Sequence, residues 1–318
     1  MVPPEITTAV IVLIAALLVD RIFGDPHSSL HPVALLGRVI GSWGKPALYS
    51  PRWQRVAGVV FWIGTAALFA LSFFLFSWLA PWYLYLVIAP FLLKSVFAWR
   101  SLEEHTLAVV AAVKDGVENG REKVKLLVSR DTAKLERDHI LSAGYESMTE
   151  NLTDSIISPL FYYAVFSPLG FGLVAAAVYR AANTMDAMLG YRDERIRLGW
   201  FPARMDDVIN FIPARVTVFF LLVYFLFAGR LIPAYQMMRR DGHKRPGFNG
   251  GIVMATMAGG CGIRFEKPGV YTIGDGERSL DEAGPAILKA TRSVTIMFAV
   301  VAGGTLILLG TWINSTGI

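Results

Sequence analysis

The sequence predicts an all-α, polytopic integral membrane protein with helical segments in its polar loops. Three observations carry that prediction. Of 318 residues, 54% are hydrophobic and only 17% are charged, whereas soluble domains run to about 25% charged. Mean hydropathy is +0.48. No Asp, Glu, Lys, Arg or His occurs between Val56 and Leu93, a run well beyond the roughly 20 apolar residues that span a bilayer. Disordered, collagen-like and coiled-coil classes are excluded on the same composition, and residues 1–318 read as one membrane domain.

Six apolar regions follow in order. The first, about 5–19, is short but workable with tilt; it lacks a basic leader and a small-x-small cleavage site, so it reads as a retained span. The second, about 56–79, is ended by Ala80-Pro81, and the third, about 82–98, returns after that turn with Lys94 placed to snorkel to the interface. The fourth, 156–179, is interrupted by Ser167-Pro168-Leu169-Gly170 and is either one kinked crossing or two half-helices of a re-entrant hairpin. A fifth runs over about 213–229 and a sixth over about 294–313.

The termini at 1–5 and 314–318 carry no Lys or Arg, and the loops at 20–55, 99–155, 180–215 and 230–293 carry every basic residue except Lys94. This distribution places both ends outside and the loops in the cytoplasm. Six simple crossings would put the loop at 180–215 outside despite its six arginines, so region four or five is expected to be non-standard. Net charge is +5, but the basic residues form no dense patch with aromatics, which argues against nucleic acid. Cys261 is the single cysteine, leaving no intrachain disulfide and no thiol metal cluster. Apart from Lys94, charges fall in the loops or at span ends. Transporters tend to bury charge at mid-membrane, so this pattern favours an enzyme held at the bilayer.

Four loops carry the chemistry. The first reads Gly24-Asp25-Pro26-His27 to His31-Pro32, then Gly37-Arg38. Each proline constrains the residue before it, so Asp25, His27 and His31 are presented together for proton transfer, Mg²⁺ or phosphate chemistry, or else serve as turn caps. The second opens on an amphipathic stretch, Leu102 to Val113, read as an interfacial helix without a catalytic role. Ser129-Arg130-Asp131-Thr132 follows, then Glu146, Glu150, Asn151 and Asp154 leading into the fourth apolar region. At 3.6 residues per turn the three carboxylates form one acidic stripe; stacked like charges call for a partner, Mg²⁺ or arginine.

The third loop is the densest. Tyr179, Asn183 and Asp186 share one helical face and Asp206 and Asn210 another, with Asp207 beside them. Oxygen ligands of this kind suit Mg²⁺ carried on nucleotide phosphates, and Arg180, Arg192, Arg204 and Arg215 suit phosphate or carboxylate. Ion pairs between loops account equally well for many of these residues. No P-loop or kinase signature is present. The fourth loop holds Arg240-Asp241-Gly242-His243, Asn249-Gly250-Gly251 and Gly259-Gly260, where glycine permits either close ligand approach or close helix packing.

Taken in order, these pieces resemble the adenosylcobinamide-phosphate synthase family, the membrane-bound amide-forming enzymes of cobalamin biosynthesis. The resemblance rests on Gly24-Asp25-Pro26 with His31-Pro32-Val33, Ser129 to Thr132, Glu146 to Asp154 with Pro159-Leu160-Phe161-Tyr162, Tyr179 to Asp186, Gly190-Tyr191-Arg192, and Ala203-Arg204 through Pro213-Ala214-Arg215. It spans about residues 15–290. It implies ATP- and Mg²⁺-dependent condensation of adenosylcobyric acid, a corrinoid, with an amino alcohol, its phosphate or a related amine. The fourth loop departs from the family pattern: a Ser-Pro-Asn-x-Gly block followed by an aromatic and an acid is replaced by Gly247-Phe248-Asn249-Gly250-Gly251 with no acid nearby.

On this reading, Glu150, Asp154, Asp186, Asp206 and Asp207 are the expected Mg²⁺ ligands. Asp25, His31 and Glu146 are the expected catalytic residues. Arg38, Arg130, Asn151, Arg180, Asn183, Tyr191, Arg192, Arg204, Asn210, Arg215 and Asn249 would bind nucleotide or substrate. The expected partners are the corrinoid, the amine and the lipid bilayer, with a second copy or other late-pathway membrane enzymes as protein partners. Two other readings stand beside it, a non-catalytic signalling relative and a small-molecule transporter.

Overall fold

The computed structural model describes residues 6–25 and 31–316. Helices dominate them: α1 Ile6–Phe23, α2 Pro32–Trp43, α3 Gln54–Leu79, α4 Trp82–Lys94, α5 Trp99–Asp115, α6 Val117–Val124, α7 Arg137–Asn151, α8 Ser158–Phe166, α9 Gly172–Leu189, α10 Trp200–Ile209, α11 Phe211–Phe227, α12 Leu231–Asp241, α13 Gly250–Cys261 and α14 Leu280–Thr316. The one sheet among them is a small hairpin of β1 Phe265–Lys267 and β2 Tyr271–Ile273, pairing Phe265 with Ile273. Four segments are long and apolar enough to cross a membrane, Ile6–Phe23, Gln54–Leu79, Trp82–Asp115 and Leu280–Ile313, with α10 and α11 together a fifth, broken candidate. The chain is an all-α, multi-pass membrane protein.

Its contacts gather into two compact units. One comprises Met1–Ala98, Ser158–Asn210 and Ala299–Ile318. Here α9 is the hub, packing against α2, α3, α8 and α10, while α1 packs on α4. Ala176, Ala177, Ala181 and Ala182 are fully buried on α9, and small side chains there let neighbouring backbones approach. Around them lie Leu36, Ile40, Trp43, Met185, Leu189 and Leu198.

The fourth apolar region is a helical hairpin. Its first arm, α8, continues without a break from α7 through a π segment, residues 137–166 being helical throughout. A 3₁₀ turn, Ser167–Leu169, and Gly170 at φ +77° reverse the chain, and α9 packs back on α8. The chain turns at the expected interruption, because Pro168 cannot continue the helix and Gly170 adopts the left-handed conformation.

Two expectations about charge are corrected. The first helix continues a turn beyond residue 19, so Asp20 lies within it and is fully buried. Lys94 does not snorkel: it is 3% exposed, with its amine between Asp20 (3.3 Å) and Asp25. Two carboxylates near the end of α1, which packs against α4, stand in for the water that the buried amine has lost.

The second unit comprises Trp99–Ile157 and Phe211–Phe298. Helix α5 packs on α6 and α7, and α13 packs on α7, α11 and α12. The amphipathic stretch is indeed one face of α5, its Val109 and Val113 joining Val124, Ile140 and Leu141 in a core. The acidic stripe enters a π turn at Leu152–Ile157, which contains Asp154. The glycine-rich loop is instead α13, buried along almost its whole length. Its glycines serve helix packing; a Cβ at Gly260 would stand 2.2 Å from the Phe225 ring, and one at Gly259 2.4 Å from the Pro233 carbonyl.

Gly260→Ala is therefore expected to lower stability by about 1–3 kcal/mol through overpacking, seen as earlier thermal unfolding in detergent. Adding Phe225→Leu, which withdraws the ring, should recover part of the loss.

Candidate functional site

In the first unit, polar side chains from α8, α9 and α10 form one hydrogen-bonded chain. Arg180 donates Nε to the Val96 carbonyl (2.6 Å) and Nη1 to Asn183 Oδ1 (3.1 Å). Asn183 Nδ2 donates to Asp206 Oδ1 (3.3 Å), and Asn210 Nδ2 donates to Asp206 Oδ2 (3.1 Å). Asn210, 1% exposed, accepts at Oδ1 from Ser158 Oγ (2.7 Å) and Tyr179 Oη (2.9 Å). The helical faces expected for Tyr179, Asn183, Asp206 and Asn210 are thus realised and meet. Asp206 and Asp207 are half-buried on α10. Asp186 folds over Gly190, where a Cβ would meet its Oδ1 at 1.9 Å, so glycine is required at that helix end.

Beside α2 the first loop contributes Asp25 and His31; His27 lies outside the described residues. His31 caps α2, its Nδ1 accepting from the Val33 N–H at 3.3 Å. Its pKa is lowered, first by burial, then by the Lys94 and Arg180 cations, while Asp25 pulls the other way. The native imidazole is therefore neutral with its proton on Nε2, which faces Asp25 Oδ1 at 3.8 Å. The cap engages Nδ1, and the buried Nε2 makes no hydrogen bond among the described residues.

The second unit holds a separate cluster around Glu146, 5% exposed. Its carboxylate accepts from Ser142 Oγ (2.5 Å), Tyr271 Oη (2.7 Å) and Arg130 Nη2 (3.2 Å). Ser142 Oγ also accepts from the Glu266 N–H at 2.7 Å, fixing the β hairpin to α7. The Tyr271 hydroxyl has its pKa raised by burial and then by Glu146, and stays protonated as a donor. Arg130 Nη1 is buried without a hydrogen-bond partner. Glu150 pairs with Arg245, whose pKa is raised chiefly by Glu150 and to a lesser degree by Tyr271 and Asp154. Arginine, one of the two partners the acidic stripe called for, stands beside Glu150.

The remaining expected residues are less engaged. Arg215 stacks over Phe211 at 3.7 Å and donates to Asn249 Oδ1 (2.7 Å) and to the Phe211 and Phe248 carbonyls. Asn151 bonds within its own helix, to the Ser147 carbonyl and Ser155 Oγ. Tyr191 carries the Arg195 guanidinium on its ring at 3.9 Å. Arg38, Arg192 and Arg204 are exposed. Among the described residues no three His, Cys, Asp or Glu side chains are grouped to hold a metal ion; Glu150 and Asp154 fall in one unit, and Asp186, Asp206 and Asp207 in the other.

Sequence reasoning missed Lys94 as an inward partner, and also Ser142, Arg245 and Tyr271. Ser142 stands one turn before Glu146 and is findable by helical spacing. Tyr271 lies 125 residues from Glu146 in a hairpin with no motif, and nothing local marks it.

The chain matches the model described as CobD/Cbib protein over residues 13–297. It is 37% identical over 301 residues to the "Probable cobalamin biosynthesis protein CobD" of Methanothermobacter thermautotrophicus, covering 94% of this chain and 98% of that one. It is 39% identical to the protein of the same name from Thermococcus kodakarensis, covering 95% of each. To the "Cobalamin biosynthesis protein CobD" of Dehalococcoides mccartyi it is 37% identical, covering 85% and 88%. No solved structure matches.

Two outcomes follow from this geometry. Lys94→Met takes the amine from two carboxylates and is expected to cost about 3–5 kcal/mol, measured by thermal unfolding in detergent, with Lys94→Arg milder. The second concerns pH. His31 has its native pKa below the ordinary 6.5, so the unfolded chain binds its proton first as pH falls. Its contribution is complete above 6.5 and drains away from there down to the native value. Unfolding midpoints of wild type and His31→Asn, which keeps a good cap, should therefore converge as pH falls from 7.5 to 5.

Proposed function

Because the chain belongs to the CobD/Cbib family of cobalamin biosynthesis proteins, we propose that it is a membrane-held synthase joining the free carboxylate of adenosylcobyric acid to the amine of aminopropanol or its phosphate. The observation that carries this reading is that the segments bearing the resemblance supply the two polar clusters just described, one on α8–α10 and one around Glu146. A carboxylate does not condense with an amine in water unless activated. ATP supplies that activation: the carboxylate oxygen takes the γ-phosphoryl group and releases ADP, the amine then attacks the acyl carbon, and phosphate leaves as the C–N bond forms.

The donor set fits an Mg²⁺ that arrives on nucleotide phosphates, which needs only one or two protein carboxylates, and not a resident all-protein metal centre. Asp206 is the first-choice ligand, since two side-chain amides, from Asn183 and Asn210, fix its carboxylate in place; Asp186 and Asp207 are the alternatives. Bound Mg²⁺ would neutralise charge developing on the transferred phosphoryl oxygens. Arg180, held by Val96 and Asn183, offers a fixed cation for phosphate. Arg130, oriented by Glu146, offers its unpaired Nη1 to an anionic oxygen. Asp25 accepts the proton that the attacking amine sheds, since the nitrogen becomes strongly acidic as the C–N bond forms. The cytoplasmic side, where nucleotide is available, is the side assigned to these loops by their arginines.

The test is purified protein in detergent with ATP, Mg²⁺, adenosylcobyric acid and aminopropanol phosphate, read by mass spectrometry for the amide. Glu146→Gln and Asp207→Asn are each expected to abolish product while membrane insertion stays intact. Wild-type turnover in both removes the acidic-site assignment. Absence of product together with ATP-independent uptake into proteoliposomes would favour a transporter instead.

A further inference from the structure

An open cleft of about 650 Å³ in the second unit is built unlike either polar cluster. Its walls include Val218, Phe219 and Leu222 of α11 and Ile252 of α13, and its mouth carries Arg215, Arg239 and His243. No Asp or Glu lines it. Arg215 spends its hydrogen bonds on neutral acceptors, the Asn249 amide and the carbonyls of Phe211 and Phe248, so its positive charge is fixed in place and not neutralised. Arg239 and His243 are exposed at the same rim. On the apolar side, Phe219 and Phe248 are 59% and 61% exposed, and α11 belongs to a candidate span.

A rim of two arginines and a histidine, with no acid among them, above an apolar trough on a membrane helix matches one ligand shape, an anionic head on a hydrocarbon chain. We propose that this cleft is a binding site for an anionic phospholipid. The phosphodiester sits among Arg215, Arg239 and His243, and an acyl chain lies along Phe219 and Leu222. Cations beside a membrane each favour an anionic headgroup, and the buried chain adds the apolar term that a free phosphate lacks.

The test uses the full chain in nanodiscs of equal phosphatidylglycerol and phosphatidylcholine, then native mass spectrometry of the lipid each molecule retains. Wild type is expected to keep phosphatidylglycerol over phosphatidylcholine by about fivefold or more. The Arg239→Gln/His243→Gln double variant should lose that preference while unfolding at the wild-type temperature. Phe219→Ala should weaken retention with the headgroup preference kept. Equal retention of the two lipids by wild type, or undiminished preference in the double variant, overturns the site. Displacement of the lipid by millimolar inorganic phosphate overturns the lipid as occupant and assigns the rim to a soluble phosphate.

Discussion

Charge carried among apolar helices must be matched where it sits, and this requirement shapes the protein more than any other. An ion taken out of water costs several kcal/mol unless a partner and further hydrogen bonds replace its hydration. Buried carboxylates here meet that condition. Asp20 faces Lys94, Glu103 accepts two bonds from Arg292 and one from Trp99, and Asp241 accepts from Arg240, Lys244 and the Gly274 N–H. Glu146 is held by three donors at once. These pairings fix helix against helix, and the sites are variations on them in which one position is left open.

The openings are what give the arrangement chemical capacity. Arg130 is anchored by Glu146 through one nitrogen and keeps the other unpaired. Asp206 is oriented by two side-chain amides. His31 caps α2 through Nδ1 and keeps a buried Nε2 that makes no hydrogen bond. Groups held this rigidly lose little freedom when a ligand arrives, which is the condition under which electrostatic stabilisation of a phosphoryl or acyl group is largest.

Local sequence rules reached the helices well and the boundaries between them less well. Hydropathy located the spans near α1, α3, α4 and α14 because apolar length is a property of consecutive residues. The interruption at Ser167 to Gly170 marked a break, yet only the packing of α8 on α9 showed it to be a hairpin. The π turn at Leu152–Ile157 escaped because 3.6-residue spacing was assumed through it. The glycines of α13 were ambiguous until the Phe225 ring and the Pro233 carbonyl were seen to fill the space beside them.

For the site, the sequence by itself determined the cast: a membrane protein, its reactive residue types, and the motif order that marks the family. It also determined which of those residues share a helical face, as with Asn183 and Tyr179. Only the tertiary structure decided who faces whom. Glu150 meets Arg245 across 95 residues and Glu146 meets Tyr271 across 125, and Lys94 turns inward to Asp20. The reason is that helical spacing sets direction over a few turns, whereas partner choice depends on which distant groups packing removes from water together, and desolvation has no short-range signature in the chain.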